Sequence, residues 1–117
     1  MNGEIYSIFH LSLEPSKFPQ LEILIHNVVA ETAKEPDTLA YEYTVNADKT
    51  VVHIIERYRT QGLISHVEKT FAPFAEEFLS LVTIEKLYVH GDTTPEIRAI
   101  LDQFGAIYLT SVDGFSR

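Results

Sequence analysis

The feature that most constrains this chain is a repeated change of hydrophobic period, from two residues to about 3.6 and back, with prolines or turn residues at several changeovers. Ile5-Tyr6-Ser7-Ile8-Phe9-His10-Leu11-Ser12-Leu13 alternates, with Ile5, Ser7, Phe9, Leu11 and Leu13 on one side and Tyr6, Ile8 and His10 on the other, and predicts a first strand. Glu14-Pro15-Ser16 breaks that pattern. Pro19 suits the first turn of a helix, where a backbone N–H has no partner to lose. Leu21, Leu24, Ile25, Val28, Val29 and Thr32 then fall on one stripe. Pro36 ends this helix, because the residue before a proline is pushed out of helical backbone.

Asp37 and Thr38 open a second strand with Leu39, Tyr41, Tyr43 and Val45 on one face. Asn46 to Lys49 is a turn, and Thr50 to Tyr58, rich in β-branched residues, returns as an antiparallel third strand. Thr60 as N-cap predicts a short helix over Gln61 to Glu68. Thr70 as a second cap predicts a separate helix over Phe71 to Val82, with Pro73 in its first turn. Thr83 to His90 reads as a fourth strand. Thr94 caps a helix from Pro95 to about Phe104, and Gly105 leads into a fifth strand, Ala106 to Val112.

The order β-α-β-β-α-β with an added α-β is that of an α+β fold, the ferredoxin-like split βαβ, in which an antiparallel sheet carries its helices on one face. Strand three then matters most. It sets Val51, His53, Ile55 and Arg57 on one face against Val52, Ile54, Glu56 and Tyr58 on the other, so both faces are half apolar. The uncovered face needs a partner, and a symmetric copy supplies one: the expectation is a homodimer packed through its sheet faces.

At 117 residues the chain is expected to form one domain, 1–117, with its core over about 5–90 and a C-terminal extension over 91–117. Seventeen acids against nine bases give a net charge of −8, which repels phosphate backbones and argues against nucleic acid as a partner. Cysteine is absent, which removes disulfides and thiolate metal sites and fits a reducing compartment. Met1-Asn2-Gly3-Glu4 carries no basic stretch, and Glu22, His26 and His53 interrupt the apolar runs. The expectation is a cytoplasmic protein with no membrane partner. His53 and Glu56, three apart on a strand, lie on opposite faces, and His66 and Glu68, two apart on a helix, diverge by about 200°. With no H-E-x-x-H and no G-x-G-x-x-G spacing either, no metal and no organic cofactor are expected.

The stretches Glu35-Pro36-Asp37-Thr38-Leu39-Ala40-Tyr41-Glu42-Tyr43, Val52-His53-Ile54-Ile55-Glu56-Arg57-Tyr58 and Leu63-Ile64-Ser65-His66 resemble the antibiotic biosynthesis monooxygenase domain of the dimeric α/β-barrel superfamily, over roughly residues 5 to 90. The chain departs from that pattern at Asp37, where glycine is frequent, and at Gly62, where a small helix-favouring residue is usual. The second departure predicts a looser short helix. The resemblance implies a pocket between sheet and helices where a quinol-like or polyketide-like aromatic is deprotonated and reacts directly with dioxygen, without a cofactor. Haem-degrading members use an Asn, Trp and His set, and this chain has no tryptophan. Because the superfamily also holds members without a known reaction, the alternative is a non-catalytic dimeric domain that binds a small ligand or serves as an accessory. An isomerase of a phosphorylated or keto sugar ranks last. It would want a basic pocket, and Arg57, Arg59 and Arg98 are the only arginines besides the terminal one.

The candidate catalytic residues are His66, as base, and Glu56, with Tyr58, Tyr43 and His53 as substrate-binding candidates. The alternative for His66 is a helix histidine bonded to a nearby carboxylate or carbonyl. Glu56 shares its face with Ile54 and must be paired or shifted in pKa, and an ion pair with Arg57 or Arg59, at the strand end or across the dimer, is the favoured reading. Tyr41 and Tyr43 line a cavity, an interface or the core. Phe115 and Arg117 either cap a partner's pocket or belong to a tail that covers a sheet edge, and the second is favoured.

Overall fold

The computed structural model describes residues 3–117; Met1 and Asn2, part of the opening stretch read above, lie outside the described residues. The elements are β1 (Glu4–Ser12), α1 (Phe18–Thr32), β2 (Thr38–Val45), β3 (Val51–Arg59), α2 (Leu63–Ser65), α3 (Ala72–Leu81), β4 (Thr83–Gly91), α4 (Pro95–Leu101) and β5 (Ala106–Leu109). The sheet order is β2-β3-β1-β4-β5. The first four strands are antiparallel, in the ferredoxin-like arrangement, and β5 joins the β4 edge in parallel. Such a parallel addition needs a crossover, and α4 provides it.

All the helices that build the core lie on one face. Leu11, Val52 and Ile54 of the sheet pack against Leu21, Leu24 and Val28 of α1 and Phe78 and Leu81 of α3. A second cluster joins Ile5, Tyr58, Leu87 and Val89 to Leu63, Ile97 and Leu101, so α4 covers the half of the sheet that α1 leaves free. Each such side chain contributes about 1.5–3 kcal/mol by leaving water. Strand four resolves an ambiguity in its pattern with a bulge: Leu11 pairs with Ile84 but His10 with Lys86. The skipped Glu85 lets Ile84 face the helices together with Leu87 and Val89.

Helix boundaries differ from expectation between β3 and β4. Thr60 to Leu81 is one helical run, opening with a 3₁₀ turn at Thr60–Gly62, passing through α2 and a π-helical stretch at His66–Phe71, and continuing as α3. Neither Thr60 nor Thr70 caps a helix. Arg59 is the extended residue ahead of the run, and the Thr70 hydroxyl donates to Glu35 instead. Thr94 does cap α4, accepting a hydrogen bond from the Ile97 N–H at 3.2 Å.

The two departures from the resembled pattern turn out to face each other. A Cβ on Gly62 would come within 2.5 Å of the Asp37 Cβ, so the missing side chain lets the helical run close onto the loop between α1 and β2. Gly62 tightens this junction rather than loosening the helix.

Among the described residues no helix lies on the other face of the sheet. Tyr6, Ile8 and Tyr88 lie there with Ile55, Ile107 and Leu109, the last three 39%, 44% and 42% exposed. The fifth strand ends at Leu109, three residues earlier than the pattern suggests. Within the C-terminal extension it is β5 that covers the β4 edge; residues 110–117 beyond it are exposed, with Phe115 beneath the Arg117 guanidinium at 4.5 Å. No helix among the described residues is long and apolar enough to cross a membrane.

Candidate active site

Strand alternation sends Ile54, Glu56 and Tyr58 of β3 toward the helices, and the sheet register places Tyr41 beside Glu56 on one flank and Ser7 on the other. The helical run after β3 brings His66 over the same spot. Between them lies a cavity of about 40 Å³, room for a few water molecules. Its polar lining is Ser7, Tyr41, Glu56 and His66. Its walls are Phe9 and Ile84 of the sheet, Phe71, Phe78 and Leu79 along the helical run, and Leu101 and Phe104 at the end of α4.

Glu56 is 5% exposed and takes one side-chain hydrogen bond, from the Tyr58 hydroxyl to Oε1 at 2.6 Å. Burial pushes its pKa up from 4.5 to about 8, against the opposing effect of the Tyr58 bond and with some help from the charge of Glu35. The expected ion pair with Arg57 or Arg59 does not form within the chain. Alternation turns both arginines to the open face, where Arg57 donates twice to Glu4, at 2.9 and 2.8 Å, and Arg59 lies 3.8 Å from Asp37. At neutral pH Glu56 is therefore a carboxylic acid that still holds its proton.

His66 is 3% exposed, and its Nδ1 lies 2.9 Å from Glu35 Oε1. Glu35 also accepts from the Thr38 hydroxyl at 2.7 Å and from the Thr70 hydroxyl. A carboxylate only accepts, so Nδ1 carries the hydrogen and Nε2 is left with its lone pair. Burial pushes the His66 pKa below its ordinary value, opposed by Glu35, so the ring is neutral near pH 7. Tyr41, Tyr58 and Phe71 surround it, with ring centroids at 5.0, 5.4 and 6.3 Å. The Tyr41 and Tyr43 hydroxyls bond each other at 2.8 Å, and burial raises both pKa values, which keeps them protonated.

Of the residues chosen from sequence, His66 and Glu56 line the cavity together. Tyr58 and Tyr43 stand one contact behind, the first holding Glu56 and the second holding Tyr41. His53 is not brought to this site. It lies on the open face, stacked on His10 at 4.0 Å with 23° between the rings. Tyr41, read from sequence as lining a cavity, an interface or the core, lines the cavity, whereas sequence reasoning gave no role to Glu35, although it stands in the stretch that carries the resemblance. The usable signal for Glu35 was a carboxylate at the end of α1, just before the strand that flanks Glu56. Among the described residues no three His, Asp or Glu side chains converge on a metal-sized site.

Fold and cavity define a class: a ferredoxin-like α+β domain holding one buried acid and one buried base between sheet and helices. No family model matches the sequence, and no curated protein matches it either. Solved structures do match. MupZ from Pseudomonas fluorescens superposes with a TM-score of 0.87 over 97% of this chain and 94% of its own, at 23% identity. SnoaB, a cofactor-independent oxygenase from Streptomyces nogalater, gives 0.63 at 15% identity, covering 80% of this chain and 94% of that one. A candidate antibiotic biosynthesis monooxygenase from Nitrosomonas europaea gives 0.68 at 16% identity, covering 80% and 93%. The chain thus has the fold of the antibiotic biosynthesis monooxygenase type.

Proposed function

We propose that this protein is a cofactor-independent monooxygenase acting on a small, uncharged quinol-like or polyketide-like aromatic. The observation that carries the reading is the pairing, in one apolar cavity, of a neutral imidazole with a free nitrogen and a carboxylic acid that keeps its proton. The cofactor-independent oxygenase among the structures of the same fold supports it.

His66 Nε2 takes the proton of an activated C–H or O–H of the substrate. The resulting anion passes one electron to dioxygen, and recombination forms a carbon–oxygen bond and a peroxide anion. Glu56 protonates that peroxide, which then loses water to leave a carbonyl, so substrate-H₂ and O₂ give substrate=O and H₂O. The aromatic walls exclude water and leave the anion no better acceptor than oxygen. A cavity of 40 Å³ does not hold an aromatic ring as it stands. Leu79, the lining side chain that is 46% exposed, moves to admit one.

The open face completes the reading: a second copy covers Ile8, Ile55 and Tyr88, giving a homodimer joined sheet to sheet. A redox-neutral reaction is the second reading, because a paired acid and base can move a proton or open a ring with no oxygen at all. Oxygen uptake with a panel of hydroquinones and anthrones separates the two. The proposal predicts uptake that His66→Ala abolishes; turnover of a panel member under argon refutes it, as does a lack of uptake across the panel.

A further inference from the structure

A second hollow lies behind the first. It is an open cleft of the surface, lined by Lys34, Glu35, Asp37, Thr38, Ser65 and Thr70 among others. No described residue lines both hollows: His66 belongs to the cavity and Glu35 to the cleft. What joins them is the bond between His66 Nδ1 and Glu35 Oε1, with the histidine side chain 4% and the glutamate side chain 16% exposed. We infer that Glu35 is the outer half of a proton relay, through which His66 exchanges protons with solvent in the cleft while the cavity stays closed.

The relay rests on the reading of His66 as the base and deepens it. When Nε2 takes a proton from the substrate, the ring gives its Nδ1 hydrogen to Glu35 Oε1, and Glu35 hands it to water in the cleft. The reverse passage moves a proton from water to Glu35 and on to Nδ1, while the Nε2 hydrogen returns to the cavity. That restores both the starting tautomer and the proton Glu56 has given up, so no net proton is gained or lost over a turnover. The geometry suits this use. Thr38 and Thr70 hold the carboxylate in place from the strand and the helical run, and the other charges of the cleft have partners of their own, Lys34 with Glu31 at 3.0 Å and Asp37 with Arg59 at 3.8 Å. On the cavity side the titratable groups around the imidazole are Glu56, Tyr41 and Tyr58. The two tyrosines keep their protons at working pH, because burial raises their pKa values. That leaves Glu35 as the way out.

The test needs no substrate, so its failure is separable from failure of the oxygenase reading. Nitrogen-15 signals of the His66 ring report which nitrogen holds the hydrogen and how fast the ring gains and loses a proton. The wild-type protein is expected to hold it on Nδ1. Glu35→Gln should slow the exchange roughly tenfold or more, and formate added to Glu35→Ala should restore it by entering the cleft. Glu35→Asp, which keeps the charge but withdraws it by one methylene, should slow exchange as well and serves if the other variants fail to fold. Wild-type exchange rates in natively folded variants overturn the relay. So does slow exchange in Glu35→Ala that formate does not restore, since that is the mark of a purely structural contact.

Discussion

Replacing Glu56 by glutamine removes one titration from the core and tests whether this carboxyl is the cavity's acid. Glutamine has nearly the shape of a protonated glutamic acid, and its amide oxygen can keep the bond from the Tyr58 hydroxyl. Below about pH 4.5 the carboxyl carries its proton in both folded and unfolded chains, and the two proteins should be equally stable. Above that the unfolded chain ionises while the folded one holds its proton up to about 8. The folded state then binds more protons, and its stability falls as pH rises through this window. From 4.5 to 8, at about 1.4 kcal/mol per pH unit, the loss comes to about 5 kcal/mol. His10 and His66 titrate in both proteins, so their effects drop out of the difference. Urea denaturation of both from pH 4 to pH 9 is the assay. The glutamine variant should match the wild type at the acid end and exceed it by several kcal/mol at pH 9. Parallel curves would mean that Glu56 ionises as easily in the core as in water, and the acid–base reading of the cavity would fail.

Gly62→Ala should destabilise the fold by about 1–3 kcal/mol through overpacking. In an Asp37→Gly background that cost should shrink to under about 1 kcal/mol, because the methylene in the way is gone; equal costs in both backgrounds would refute the close approach. Ile55→Lys, placed in the middle of the open face, should convert a dimer at micromolar concentration into a folded monomer by analytical ultracentrifugation, and a wild-type monomer there would refute the sheet-to-sheet assembly.

The element order was legible because each change of period falls at a residue with its own backbone preference. Pro19, Pro36 and Thr94 act where their chemistry says they should. Thr60 and Thr70 mislead because a threonine before an apolar run has the composition of a cap whether or not the chain turns there. What keeps the run helical is a tertiary demand, the Glu35 carboxylate drawing in the Thr70 hydroxyl and the His66 ring. The same demand hid Glu35 as a site residue. Its partners lie 31 and 35 positions away, and no local spacing announces them. Glu56 was visible as a carboxylate among apolar neighbours. Its neighbours in sequence, Arg57 and Arg59, suggested an ion pair that strand alternation forbids. His53 fell to the same alternation, being an odd-numbered residue on a strand whose even-numbered residues face the helices.

The central claim, that one apolar cavity holds a protonated acid beside a neutral base, is tested most directly by the carboxyl carbon-13 signal of Glu56 followed through a pH titration of the intact protein. The account predicts a midpoint near 8, with the signal of a protonated carboxyl throughout the neutral range. A midpoint near the ordinary 4.5 would show a carboxylate facing His66 at working pH, and the cavity would then have no proton to give.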